Sequence, residues 1–198
     1  MIQFLVGVDE VGRGPIAGPL CVGACAVRRT RLYDFWKIFG GAKDSKQLAP
    51  NGREHWFSIL KDGEERGVVR AETVFISHTI IDERGMSHAL HIGVASVLKK
   101  LKMSPKNCSI LLDGSLKAPA IFQNQKTIIG GDEKELLIAV ASIAAKVRRD
   151  AHMTRVAAQF PQYGFEKHKG YGTRAHYSAL HSYGPSPIHR LSFLKSPP

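Results

Sequence analysis

Residues 6–20 read VGVDEVGRGPIAGPL, and the way this stretch is read decides the fold. The apolar run from Ile2 to Val8, broken by Gln3 and Gly7, predicts a short buried strand that delivers two adjacent carboxylates, Asp9 and Glu10, into a glycine-rich turn. Neighbouring side chains on a strand point to opposite faces, so these acids share a ligand only if the backbone bends as it leaves the strand. Gly12 and Gly14 permit the bend, and Pro15 and Pro19 keep the turn from winding into a helix. Two carboxylates beside exposed backbone N–H groups and the Arg13 guanidinium suit a metal ion gripping a phosphate. The alternative is a solvated turn after a first strand. Dinucleotide and P-loop readings fail, because Ala17 stands where a third glycine belongs, Pro15 where a helix should open, and no Gly-Lys-Ser/Thr follows.

Outward from this turn, Leu20–Val27 reads as a second strand, left through Arg28, Arg29 and Arg31. A polar loop carries KDSKQL at 43–48, a short helix runs from Pro50 to about Leu60, and Val68–Phe75 is the next strand. From about Asp82 to Leu101, Met86, Leu90, Val94, Val97, Leu98 and Leu101 recur at three- and four-residue spacing, which predicts one amphipathic helix packed on a sheet. Ser109–Leu112 is a short buried strand ending in Asp113-Gly114, so a second strand carries a carboxylate to its C-terminal edge, where sites on α/β sheets gather. Asp132 follows Gly130-Gly131 and precedes a helical pattern from about Glu135 to Gln159, with Ile138, Ala141, Ala145, His152 and Val156 on one face. Asp132 is either a fourth member of the acidic set or a first-turn acid of that helix. Asp150, among Arg148 and Arg149, reads as an ion-pair partner instead.

Length suits one domain, 1–198, with a basic C-terminal substrate-binding region from about 160. With 43% hydrophobic and 23% charged residues, no span of membrane length and no signal-peptide pattern, the expected location is the cytoplasm. Cys21, Cys25 and Cys108 lack zinc-type spacing and read as reduced, buried thiols. Of the net charge of +11, +7 falls in residues 146–198, interleaved with Tyr163, Phe165, Tyr171, Tyr177 and Tyr183, the footprint expected of a nucleic-acid surface. His168 and His176 read as packing or phosphate-contacting groups, with a second reading as acid or orienting groups.

Up to four negative charges in one small site would force protons onto some of the acids unless a cation is present. All-oxygen ligation selects hard ions such as Mg²⁺ or Mn²⁺, and two of them can serve phosphodiester hydrolysis.

DEVGRGPIAGP at 9–19 resembles the signature of type 2 ribonuclease H, the bacterial ribonuclease HII family. Further similar stretches are KDSKQL, LLDGS at 111–115, GGD at 130–132, ASIAAKVRRD at 141–150, FPQYGFEKHKGYGTRAH at 160–176 and GPSPIHRLSF at 184–193. The resemblance implies a ribonuclease H-like α/β fold, a mixed central sheet flanked by helices. It implies an endonuclease, acting as a monomer, that cuts RNA in RNA–DNA hybrids and on the 5′ side of ribonucleotides in duplex DNA, leaving 3′-hydroxyl and 5′-phosphate ends. By the same resemblance Asp9, Glu10, Asp113 and Asp132 are the metal-binding, catalytic acids, with Mn²⁺ or Mg²⁺, two ions during catalysis. Gly12, Arg13 and Gly14 contact the ribose 2′-hydroxyl, Lys46 lies near the substrate backbone, and Tyr171 reads the RNA–DNA junction. Ala144 and Arg148 depart from the family's usual larger aliphatic and threonine. Gly-Arg-Gly, where the type HIII enzymes carry Gly-Thr-Gly, sets the chain apart from them. The other readings are a different two-metal nuclease on this fold, and a basic nucleic-acid-binding protein whose acids are structural.

Overall fold

The computed structural model describes residues 1–42 and 50–194. Five strands form one mixed sheet: β1 (Phe4–Val11), β2 (Leu20–Arg28), β3 (Arg70–Ile76), β4 (Cys108–Asp113) and β5 (Gln125–Ile128), in the order β3-β2-β1-β4-β5. β1 pairs antiparallel with β2 and β2 with β3, whereas β4 lies parallel to β1 and β5 parallel to β4. Among the described residues the α-helices are α1 (Leu32–Phe39), α2 (Pro50–Glu65), α3 (His78–Arg84), α4 (Met86–Lys100), α5 (Gly131–Lys134), α6 (Leu136–Ala157), α7 (Phe165–His168) and α8 (Arg174–Tyr183). None is long and apolar enough to cross a membrane.

Helices cover both faces, so the inner strands β1 and β2 read as nearly continuous apolar runs. On one face α3 and α4 bury Val94, Val97 and Leu98 against Val6, Val8, Val22, Ile110 and Leu112. On the other, α1, α2 and α6 pack Phe35, Phe39, Leu60 and Val140 against Cys25 and Val27. A third, smaller core of Met153, Ala157, Tyr163 and Phe165 sits beneath the C-terminal segment and includes Ala17 of the opening turn.

The expected strands occur with small shifts of boundary. The helix expected over 82–101 is two helices, because Gly85 adopts φ 81° and Ser77 accepts from the Ile80 N–H to start the first of them. α1 has no counterpart among the expected elements. α2 continues to Glu65, a turn beyond the expected end. On α6 the buried face runs through Ile138, Ala141 and Ala145 but then continues to Arg149, Met153 and Ala157, leaving His152 and Val156 half-buried. All three cysteines are free and buried, and burial raises each thiol, Cys21 to about 12.

α6 crosses the sheet at main-chain contact. A Cβ on Gly7 would lie 2.3 Å from the Leu137 carbonyl carbon, and one on Gly23 would lie 2.5 Å from the Ala141 oxygen. The obstacles are backbone atoms, which cannot rotate aside. Gly7→Ala is therefore expected to destabilise the protein by about 1–3 kcal/mol through overpacking, read as a lower midpoint in urea denaturation with an unchanged slope.

Candidate active site

β1 and β4 run parallel with Val8 opposite Leu112, so the next residue on each, Asp9 and Asp113, reaches the same edge of the sheet at the same level. β5 ends beside them, with Asp113 opposite Ile128, and the chain turns through Gly130 (φ 62°) into α5, which opens with Gly131 and Asp132. A side chain on Gly131 would press on Ile138 at 2.6 Å and Asp113 Oδ1 at 3.2 Å; without one, the Gly131 N–H donates to Asp113 Oδ1 at 2.6 Å. Three of the four acids named from sequence thus come from strand ends or a strand-to-helix corner at one edge. Asp9 is 2% exposed and Asp132 1%.

Glu10 behaves differently. β1 continues as strand through Val11, and the sharp change comes at Gly12, φ 97°. The bend expected between the acids and the strand therefore falls after them, and Asp9 and Glu10 lean to opposite faces of the sheet edge. Glu10 is ion-paired with Arg13 Nε, and Arg13 Nη1 donates to Ser115 Oγ at 3.2 Å. Asp9 Oδ1 accepts the Glu10 N–H at 2.7 Å.

Burial, together with the negative charges of Glu10 and Asp113, pushes the Asp9 carboxyl up to about 8, against the opposing pull of the Ser142 hydroxyl and the Glu10 N–H. Among the described residues no three acidic, imidazole or thiol side chains lie close enough to hold one ion as they stand. The donor chemistry nevertheless fits a hard dication: the edge offers carboxylate oxygens, and the mutual repulsion that raises Asp9 is what a bound cation removes.

The turn at 12–19 is held by the C-terminal segment. Gly170 O accepts from Ile16 and Ala17, Gly18 donates to Ile188 O, and Arg190 donates to Ile16 O. Tyr171 follows directly, 38% exposed, with Lys146 Nζ and the Arg149 guanidinium each 5.8 Å from its ring centre. Its carbonyl meets His176 Nδ1 at 2.9 Å, His176 Nε2 meets His189 Nε2 at 2.9 Å, and the Ser186 N–H donates to His189 Nδ1 at 2.8 Å. One neutral tautomer satisfies this whole chain, with hydrogen on His176 Nδ1 and on His189 Nε2. Burial accordingly lowers both imidazoles to about 4.

Some expectations are corrected here and others hold. Tyr163 and Phe165 are core residues, stacked at 5.3 Å, and are not part of an aromatic surface. Arg149 and Arg190, two of the basic residues assigned to the surface, are fully buried. His176 and His168 are packed, with ring centres 4.3 Å apart. Asp150 forms an ion pair, as expected, but with Lys146 at 3.0 Å and not with Arg148 or Arg149. Ala144 is buried beside α2, and Arg148 lies over the Phe57 ring at 5.3 Å. Lys46 lies outside the described residues. Ser142 and Ser115 were given no role from sequence, and Arg149 and Arg190 none beyond their charge. Arg149 stands four residues past Ala145 on the apolar face, so the spacing itself pointed to it.

The sheet order, the acids at one edge and the flanking helices define a ribonuclease H-like α/β nuclease. The ribonuclease HII family profile matches residues 6–196. Ribonuclease HII of Caldicellulosiruptor bescii is 40% identical over 195 residues, spanning 98% of this chain and 88% of that protein. Its counterpart in Chlamydia caviae is 42% identical, over 96% and 84%. The crystal structure of ribonuclease H2 from Pyrococcus horikoshii superposes with a TM-score of 0.74 at 26% identity, covering 98% of this chain and all of the other. Ribonuclease HII of Archaeoglobus fulgidus, solved in complex with PCNA, gives 0.73 at 26%, over 95% and 94%. The chain belongs to the ribonuclease HII family, and it is a hydrolytic nuclease.

Because its folded carboxyl titrates near 8, Asp9 favours the protonated fold. Its contribution to stability is fully present below about pH 4, where unfolded aspartate begins to ionise, and is lost as pH rises through 8. In chelator, Asp9→Asn is expected to melt above the parent protein at pH 9, with the gap closing towards pH 5. Thermal denaturation at the two pH values checks this.

Proposed function

We propose that this chain is an endoribonuclease that hydrolyses the RNA strand of RNA–DNA hybrids and cuts on the 5′ side of ribonucleotides embedded in duplex DNA, leaving 3′-hydroxyl and 5′-phosphate ends. The observation that carries the proposal is the parallel β1–β4 register, which brings Asp9 and Asp113 level at one sheet edge beside Asp132. Family membership supports the substrate class.

In this reading Asp9, Glu10, Asp113 and Asp132 hold two Mg²⁺ or Mn²⁺ ions. The chemistry such ions supply when bound is activation of a water and neutralisation of charge on the leaving 3′-oxygen. The protein's own residues do the rest. Arg13, tied to Glu10 and Ser115, keeps a cation beside the acids, where it can meet a phosphate. Gly12, Arg13 and Gly14 receive the ribose, whose 2′-hydroxyl is the local mark of RNA. Tyr171 offers an exposed ring beside that turn, suited to stacking on a sugar or base at the junction. Lys46 joins them on the substrate backbone, and residues 160–198 form the basic substrate-binding region of a single catalytic domain. The protein works as a cytoplasmic monomer, in replication and in ribonucleotide excision repair.

The test is cleavage of a labelled DNA duplex containing one ribonucleotide, in Mg²⁺, in Mn²⁺ and in chelator, with the product ends mapped. A metal-dependent cut on the 5′ side with a 3′-hydroxyl is expected. Asp9→Asn should abolish the cut while leaving hybrid binding largely intact; normal turnover by that variant would remove Asp9 from the mechanism. If nothing is cut under either metal while duplex binding persists, the protein is a nucleic-acid-binding protein whose acids are structural.

Gly14 gives a second test. Its φ is not in the left-handed region, and a Cβ there would meet nothing within 4 Å. The free protein therefore has no need of glycine at 14, whereas a ribose approaching this turn would. Gly14→Ala is expected to change stability by less than about 0.5 kcal/mol and to raise KM for hybrid by about tenfold or more, measured by denaturation and by steady-state kinetics on the same preparation.

A further inference from the structure

Arg149 and Arg190 are both 0% exposed, and among the described residues no carboxylate forms an ion pair with either. Burying a guanidinium forfeits its hydration, and a methionine could fill similar space without that cost. What these two residues add is donors, all directed at main-chain oxygens. Arg149 donates from Nε to Pro19 O at 3.0 Å, from Nη1 to Lys169 O at 3.0 Å and from Nη2 to Ala17 O at 3.4 Å. Arg190 donates from Nε to Gly18 O at 3.0 Å, from Nη1 to Arg13 O at 2.9 Å and from Nη2 to Gly12 O at 2.7 Å.

The two carbonyls that Arg190 takes at the start of the turn matter most. In a trans peptide the C=O of one residue and the N–H of the next point in opposite directions. Drawing Gly12 O and Arg13 O inward onto Arg190 therefore turns the N–H groups of Arg13 and Gly14 outward, side by side. No described residue accepts from either N–H. The space in front of Gly14 is open. Two fixed, adjacent N–H donors facing open space form a cradle for one oxygen atom.

We infer that Arg190 is a positioning residue for ribose recognition: by holding the carbonyls of Gly12 and Arg13 it presets the N–H groups of Arg13 and Gly14 as a pair of donors for the substrate's 2′-oxygen or its adjoining phosphate oxygen. The inference rests on the substrate reading given above. Arg149 anchors the far end of the same turn at Ala17 and Pro19. Arg190 itself touches no substrate; it acts through the peptide groups that it orients.

Arg190→Lys tests this, since an ammonium retains the charge but cannot reach three separate carbonyls in the planar fork that a guanidinium provides. The main-chain links from Arg190 N to Ile16 O at 2.8 Å and from Gly18 N to Ile188 O at 2.9 Å do not involve the altered side chain. Leu98→Ala, on the buried face of α4 and remote from the turn, supplies a control that is destabilised without touching the site. In chelator, binding is measured to an all-DNA duplex and to the same duplex carrying one ribonucleotide, and the melting temperature of each variant is recorded.

The parent protein should bind the ribonucleotide duplex more tightly. Arg190→Lys should lower that preference by roughly tenfold, the weight of a charge-assisted hydrogen-bond arrangement, with binding to the all-DNA duplex unchanged, and Leu98→Ala should keep the preference. A preference that survives Arg190→Lys overturns the inference, and so does one that falls in both variants in step with melting temperature. If the parent itself shows no preference, the substrate reading fails, and the ribose assignment of the donor pair fails with it. To separate that case from a failure of positioning, the amide resonances of Arg13 and Gly14 are followed in the free protein. Those two amides should become mobile in Arg190→Lys, and unchanged order there overturns the positioning role on its own.

Discussion

The main chain of α6 rests directly on the main chain of β1 and β2, and much of the molecule depends on that closeness. Where α6 passes over the sheet and the turn beyond it, glycine lies beneath: Gly7 under Leu137, Gly23 under Ala141 and Ala145, Gly12 under Arg149 and Gly18 under Met153. A side chain at Gly7 or Gly23 would lift the helix, and one at Gly12 or Gly18 would displace the Arg149 or Met153 side chain. Held at this height, α6 sets Ser142 beside Asp9 and brings the Arg149 guanidinium to the carbonyls of Ala17 and Pro19. The helix is thus a scaffold for the acidic edge at one end and for the 12–19 turn at the other.

The acidic edge carries an electrostatic cost, which falls on Asp9. Strand pairing fixes Asp9 and Asp113 level with one another, and apolar packing on both faces keeps water from Asp9, so its carboxyl is held near neutrality by burial and by its neighbours' charge. Structures of this kind trade stability for chemistry. Among the described residues the nearby guanidinium groups divide between one of these acids and the main chain. Arg13 is engaged with Glu10, and the two buried arginines spend their donors on peptide oxygens.

Much of this was legible in the sequence, and for physical reasons. Strands β1, β2 and β4 announced themselves as short apolar runs, and two of them ended in a carboxylate before a glycine, which is why Asp9 and Asp113 could be paired before any coordinates. The α4 face was legible because a 3.6-residue repeat survives any context. Gly85 was harder, since a single glycine in a helical pattern reads as a tolerated residue until its positive φ is seen. The buried arginines were misread because a charged side chain is assumed to be wet; nothing local in VRRD shows that Arg149 would find three carbonyls, one of them 132 residues away. The aromatic residues of 160–183 divided between core and surface by tertiary packing, which composition does not encode. The bend expected as the chain leaves the strand was placed too early, because nothing in the sequence shows that β1 runs on past Asp9 and Glu10 to Val11.

The turn at 12–19 lies near the beginning of the chain, yet its fastenings come from near the end: Gly170, Ile188 and Arg190, the last reaching Gly12 across 178 residues. A ribosome delivers those partners long after the turn itself. While the chain emerges, strands β1 and β2 can pair as soon as both are free, but the turn between them has no inward hold for its carbonyls until residue 190 has cleared the exit. Contacts of such long sequence separation also form late in refolding, because the loop they close is costly in entropy. The nascent protein therefore carries its acids in a partly built sheet without the device that orients the turn. The hold on the turn is completed only when the segment carrying Gly170, Ile188 and Arg190 docks.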